Sequence, residues 1–366
     1  MMPSLMLLII VTFCLANHLQ CQLASNGIQN CENTEYQLGT LLRCNALAGD
    51  MKSVYFHGIF DFQRPSALSL FTLQICRALT LCFQKENFRV VLHVPETSNN
   101  HYELAASFLR ELSISYSIWK GTFDTVALQR VRLESLKFVN SSDKVIFQVD
   151  ADEFPYFPTS DLSSVLSTLT SSEPEACDAI YGFLSERLPA NGDLVNITLR
   201  PSLSTQLPLI CDLKQSLEGA AHRKIIFYRA LFRPSVGNHR LICEEKSSLS
   251  ACHAMLSKSS KLMQDNHPAV HKLPRRCKSQ VKIHIDHYKY TWGIERYLET
   301  RVRNFKRAGL PWHSESTAVL ESLKLTGGKH QLSFNQTTLI KRLIQTRNRI
   351  PMVSPIYFIC YNSMSW

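Results

Sequence analysis

Charge is missing from the start of this chain, and acidity from its end. Residues 1–31 contain no Asp, Glu, Lys or Arg, and no acidic residue follows Glu321. The nearly unbroken apolar run 5–16 is shorter than the ~20 residues of an ordinary membrane span. No Cys-x-x-Cys occurs, which argues against a zinc ribbon or a thioredoxin-like site. Internal repeats are absent, and no recognised nucleic-acid motif appears.

What is present narrows the choice. The 366 residues, 45% of them apolar, suit one large domain or two small ones with a sizeable core. The net charge is +10. Lys324, Lys329, Lys341, Arg342, Arg347 and Arg349 supply more than half of that excess. A basic balance favours anionic partners such as nucleotides or acidic glycans, although a solvated basic tail over residues 316–366 is the simpler reading. Run 5–16 fits the apolar part of a secretory signal, with Ala16 and Ala24 as small residues before a cleavage site. A short Golgi-type signal-anchor over residues 1–24 is the alternative. Either way residues 25–50 read as a stem, and the remainder is expected in the lumen of the secretory pathway. Ten cysteines follow residue 21, an even number that permits a disulfide framework. Cys243 and Cys252 flank a Ser-rich loop and suit a local bridge. Asn140, Asn196 and Asn335 stand in glycosylation sequons.

Strands are expected at 54–60, 89–94, 114–119 and 144–149, with helices at 66–83, 102–112 and 125–139 between them. Strands alternating with helices of this length indicate βαβ units, hence an α/β fold with a mainly parallel sheet flanked by helices. The second half is less regular. Strands are expected at 178–184, 224–232 and 281–290, a turn at Gly237-Asn238-His239, a surface loop at 247–274 and a basic helix at 291–307.

The chemistry concentrates at Asp150-Ala151-Asp152-Glu153-Phe154, where an apolar strand runs into three carboxylates. Ligands of open α/β sheets gather at the carboxyl ends of strands. Side chains two apart on a strand share a face, so Asp150 and Asp152 suit a hard divalent cation, Mg²⁺ or Mn²⁺, carrying a phosphate. A turn whose aspartates cap a following helix is the bland alternative.

With His284-Ile285-Asp286-His287-Tyr288-Lys289, Lys224-Ile225-Ile226 and Gly237-Asn238-His239, this motif makes the chain resemble a GT-A glycosyltransferase of the family 2 type, including its family 92-like branch. The resemblance runs from about residue 85 to 310, and the whole domain is expected over 51–315. It implies a GT-A (Rossmann-like) sheet, a nucleotide-sugar donor, a glycan or glycoprotein acceptor, and inverting transfer. It implies Asp152 as a metal ligand, Asp150 as a ribose or water-mediated metal contact, Glu153 as their support, and His239 or His287 as an added ligand. Asp61 is the nearest candidate for the acidic residue beside the base.

Lys224 and Lys289 suit the diphosphate as compact charges. Glu186 and Asp212 are candidates for the base that takes the acceptor proton. Arg132 could reach the donor from its helix, although a solvent-facing position is the simpler reading; Trp292 and Trp312 could stack on a sugar ring, with packing the simpler reading for Trp292. His284 and His287, three apart on a strand, face opposite sides. Two other classes compete. A two-metal phosphoesterase wants a second dense Asp/His cluster, which the chain lacks. A secreted, non-catalytic binder of acidic glycans would use the basic second half.

Overall fold

A computed structural model of the chain describes residues 50–81, 83–94, 100–139, 144–156, 166–167, 169, 178–212, 223–230, 232–234, 236–239, 241–244, 283–307, 309, 313–333 and 357–362. The expectations for residues 1–49, loop 247–274, Trp312 and a Cys243–Cys252 bridge lie outside them.

The first half alternates strand and helix as its hydrophobic pattern demands. It runs β1 (Val54–Asp61), α1 (Ala67–Thr80), β2 (Phe88–Val94), α2 (His101–Glu111), β3 (Tyr116–Lys120), α3 (Thr125–Leu136) and β4 (Val145–Asp150). These four strands are parallel, in the order β3-β2-β1-β4. Alternation sorts their side chains onto two faces. Phe56, Phe60, Val90 and Leu92 join the core that includes Phe71 of α1 and Leu109 of α2. Ile59 and Val91 turn the other way, toward Ala127, Leu128 and Val131 of α3. The result is a helix–sheet–helix sandwich, an α/β fold.

The second half continues with β5 (Glu153–Tyr156), β6 (Ala179–Leu188), α4 (Leu203–Gln206), β7 (Leu209–Asp212), β8 (Arg223–Arg229), β9 (Phe232–Pro234), β10 (Leu241–Glu244) and β11 (Ile283–His287). Then come α5 (Ile294–Arg307), α6 (His313–Leu325), β12 (Gln331–Ser333) and β13 (Tyr357–Asn362). β8 lies antiparallel to β4 and extends the sheet as β4-β8-β6-β7-β13-β12. β6 also pairs parallel with β11, which pairs antiparallel with β5. Gly182 of β6 permits this crowding, since a Cβ there would stand 2.7 Å from the Ile285 side chain. Two expectations change in this half. The boundary after residue 315 falls inside α6, which packs on α5. Part of the basic segment that follows is sheet, with Cys360 opposite Cys211 in register. No helix among the described residues is long and apolar enough to cross a membrane.

An aromatic core lies across the amino-terminal halves of β1, β2 and β4. Phe83 stacks on Phe147 at 5.2 Å, and Phe147 lies 4.9 Å from Phe227. Each fully buried Phe contributes on the order of 1.5–3 kcal/mol. One polar pair is sunk into the same strands. His57 of β1 is fully buried, hydrogen-bonding Gln148 Oε1 at 2.8 Å and Ser135 Oγ at 2.7 Å. Burial, and then Arg132, lower its pKa from 6.5 to about 3. The unfolded chain therefore takes up a proton below pH 6.5 that the folded chain refuses. Stability is complete above that pH and falls as the pH drops toward 3, by ~1.4 kcal/mol per unit. Urea unfolding should thus show an acid-side loss of about 2 kcal/mol between pH 6.5 and 5 from this residue. His57→Asn should be flatter over that interval; an equally steep variant would assign the loss elsewhere.

Candidate active site at the end of the fourth strand

Strand register alone assembles the site. β4 ends at Asp150, the chain turns through Ala151 and Asp152, and it returns as β5 starting at Glu153. β5 places Glu153 opposite His287 of β11, and β11 places His287 beside Glu186 of β6. Three titratable groups from three neighbouring strands thus stand in one row, where cross-strand side chains touch. Lys224, near the start of β8, reaches the row from the strand between β6 and β4. Gln74 of α1 clamps the turn by donating its side-chain N–H to the carbonyls of Asp150, at 3.3 Å, and Glu153. The Tyr288 N–H donates to the Asp152 carbonyl at 2.8 Å.

The row is densely paired. Lys224 Nζ lies 2.6 Å from Asp150 Oδ2 and 2.7 Å from Glu153 Oε1. A guanidinium N–H of Arg64, from the loop after β1, donates to Asp152 Oδ2 at 2.8 Å. His287 Nδ1 hydrogen-bonds Glu186 Oε1 at 2.7 Å, and its Nε2 faces Asp152 Oδ1 at 3.8 Å. Arg132 stands 4.0 Å from Asp150. Burial pushes the Asp150 and Asp152 carboxyls up, yet Lys224 and Arg132 hold Asp150, and Arg64 and His287 hold Asp152, below the usual range. At Glu153 burial wins over the pull of Lys224, and the carboxyl rises to about 7. Burial would lower Lys224 and His287, but carboxylate neighbours keep both above their ordinary values.

Asp152, Glu153 and His287 each offer an atom to a common point, all within 4.8 Å of one another. A carboxylate–carboxylate–imidazole set suits a divalent cation. Glu186 completes it in the manner of metal-bound histidines, whose second nitrogen is held by a carboxylate. The expected residues are therefore distributed unevenly. Asp152 and His287 come together. Asp150 is committed to Lys224. His239, on a turn where Gly237 has φ 77, donates Nδ1–H to the Arg223 carbonyl at 2.7 Å and does not belong to the three-residue group. Burial, with Lys224 nearby, lowers its pKa to about 4.

Lys289 points to Glu315 of α6 at 3.4 Å. Glu186 is only 2% exposed and bonded to His287, which withdraws it from an incoming hydroxyl. Asp212 closes β7, and its side chain lies outside the described residues. Asp61 pairs with His93 at 2.8 Å, among the rings of Trp119 and Phe123.

Two expectations reverse. Arg132 is 1% exposed rather than solvent-facing, because α3 is covered where it passes the end of β4. Trp292 is 59% exposed rather than packed, because the turn into α5 buries Thr291 and leaves the indole outside. His284 does face away from His287, toward Asp286 at 3.2 Å. Arg64 escaped the sequence reading, for it belongs to no motif and its partner lies 88 residues away.

No protein-family model matches the chain, and no curated protein matches it. Among solved structures the chain is similar to S. aureus TarS 1-349, at 12% identity and TM-score 0.30, over 73% of this chain and 69% of that one. It is similar also to TarS 1-349 in complex with UDP-GlcNAc, at 11% identity and TM-score 0.30, over 73% and 70%. At that level the fold rests on the strand order described above, and function rests on the site.

Proposed function

We propose that the chain is a glycosyltransferase of the GT-A kind, moving a sugar from a nucleotide-sugar to a glycan or glycoprotein acceptor within the secretory pathway. The observation that carries this reading is the row Glu153–His287–Glu186 with Asp152 beside it, at the carboxyl end of a parallel strand where α/β sheets bind ligands. Asp152, Glu153 and His287 would hold Mn²⁺ or Mg²⁺, which as a Lewis acid offsets charge on a departing diphosphate. Glu186 fixes the tautomer and orientation of His287. Lys224 steadies Asp150 and Glu153 and supplies a positive charge toward the diphosphate, with Lys289 as a second. Asp212, which closes β7, is the remaining candidate for the carboxylate that takes the proton of the acceptor hydroxyl. The apolar N-terminal run and the cysteine count support the lumenal location, and the N-terminal run is the expected means of any membrane attachment.

The test is a donor-hydrolysis screen with a panel of nucleotide-sugars in Mn²⁺, Mg²⁺ or EDTA, on the wild type and Asp152→Asn. Nucleotide release that needs the metal and drops by at least ~100-fold in the variant is expected. Absence of release from every donor, with no metal-dependent stabilisation by nucleotides, would reject the enzyme and favour a glycan-binding protein.

A further inference from the structure

Arg64 bridges three parts of the fold. One guanidinium nitrogen donates to Asp152 Oδ2 and another to the Lys289 carbonyl, each at 2.8 Å. Its carbon lies 5.4 Å from the centre of the Tyr297 ring on α5. The residue is 9% exposed, so water screens these contacts little. Asp152 is also one of the three residues that converge on a common point. A divalent ion bound through Asp152 would therefore meet a permanent positive charge already hydrogen-bonded to that carboxylate. Guanidinium does not deprotonate in proteins, so no change of pH relieves the conflict. Inside a partly desolvated site, like charges a few ångströms apart repel strongly.

We propose that Arg64 is the resting counter-ion of Asp152 and competes with a divalent cation for that carboxylate. The proposal rests on the metal-site reading above. Arg64 keeps two anchors when it releases Asp152, the Lys289 carbonyl and the Tyr297 ring. The freed N–H edge then stays beside the site, where it suits an anionic group such as a diphosphate, since arginine's planar fork matches phosphate oxygens. The site accordingly takes a cation poorly by itself and well together with an anion that engages Arg64.

Mn²⁺ binding to the full chain, without nucleotide, tests the idea through the loss of the free-ion paramagnetic resonance signal. Arg64→Met should bind Mn²⁺ at least ~10-fold more tightly than the wild type, and Asp152→Asn more weakly than either. Binding by Arg64→Met alone supports the same conclusion. If Arg64→Met binds no more tightly than the wild type while Asp152→Asn is defective, the counter-ion role is overturned and the metal site stands. If neither the wild type nor Arg64→Met binds, both fall. Should Arg64→Met melt before the assay temperature, Arg64→Gln, which keeps a polar side chain without the charge, is read by the same criteria.

Discussion

Replacing Lys224 with Met should cost about 3–5 kcal/mol of folding stability, the amount typical of breaking a buried ion pair from one side. Lys224 Nζ is the shared partner of Asp150 and Glu153, at 2.6 and 2.7 Å. Methionine nearly conserves the volume, so packing is not the cause of the loss. What remains is two carboxylates beside each other in a site of low exposure, with Arg132 at 4.0 Å the remaining cation at Asp150. Both carboxyls should then titrate higher in the folded chain than in the unfolded one. The damage should therefore deepen from pH 5 to pH 8, since ionised carboxylates are what the variant fails to compensate. Urea midpoints of wild type and variant at several pH values give the measurement. Adding Asp150→Asn and Glu153→Gln to the variant should restore much of the stability. A triple variant as unstable as Lys224→Met would show that charge compensation is not what Lys224 supplies.

On the proposed metal-site reading, replacing Glu186 with Gln should raise the Mn²⁺ concentration needed for half-maximal turnover by about 10–100-fold, the usual effect of losing a carboxylate behind a metal-bound histidine. Gln can still accept from His287 Nδ1, so the ring stays in place. The negative charge that raises the His287 pKa is lost, and the imidazole becomes a weaker donor of electrons to a cation. The donor KM at saturating Mn²⁺ should change little. A variant that loses turnover at every Mn²⁺ concentration, with an unchanged metal requirement, would instead make Glu186 a participant in the transfer step.

The parallel half of the fold was legible because each strand and helix there carries its own period. β4 and its carboxylates announce themselves for the same reason, an apolar run ending in charge. His287 stood out through its motif. The row it forms with Glu153 and Glu186 did not, because it depends on the pairing of β5 and β6 with β11, which follows them by about a hundred residues or more. Nothing local in 153–156 or 183–188 encodes that register. Arg64 was hidden likewise, in a loop where only the following proline marks the position. α3 mixes polar and apolar residues around its circumference, so the burial of Arg132 had no periodic trace. β13 was read as part of a basic tail because charge counts over fifty residues drown a six-residue strand. Its Tyr-Phe-Ile-Cys-Tyr sequence is nonetheless rich in strand-forming types.

The pairing of Asp150, Asp152, Glu153 and Glu186 with Lys224, Arg132, Arg64 and His287 has a consequence for biogenesis. Domains whose acidic ligands have no internal partners collapse only when their ion arrives, and the ion is then fixed by whatever is present during folding. Here the pocket is electrically complete beforehand. On the proposed metal-site reading, the chain can therefore mature first and take up its ion afterwards.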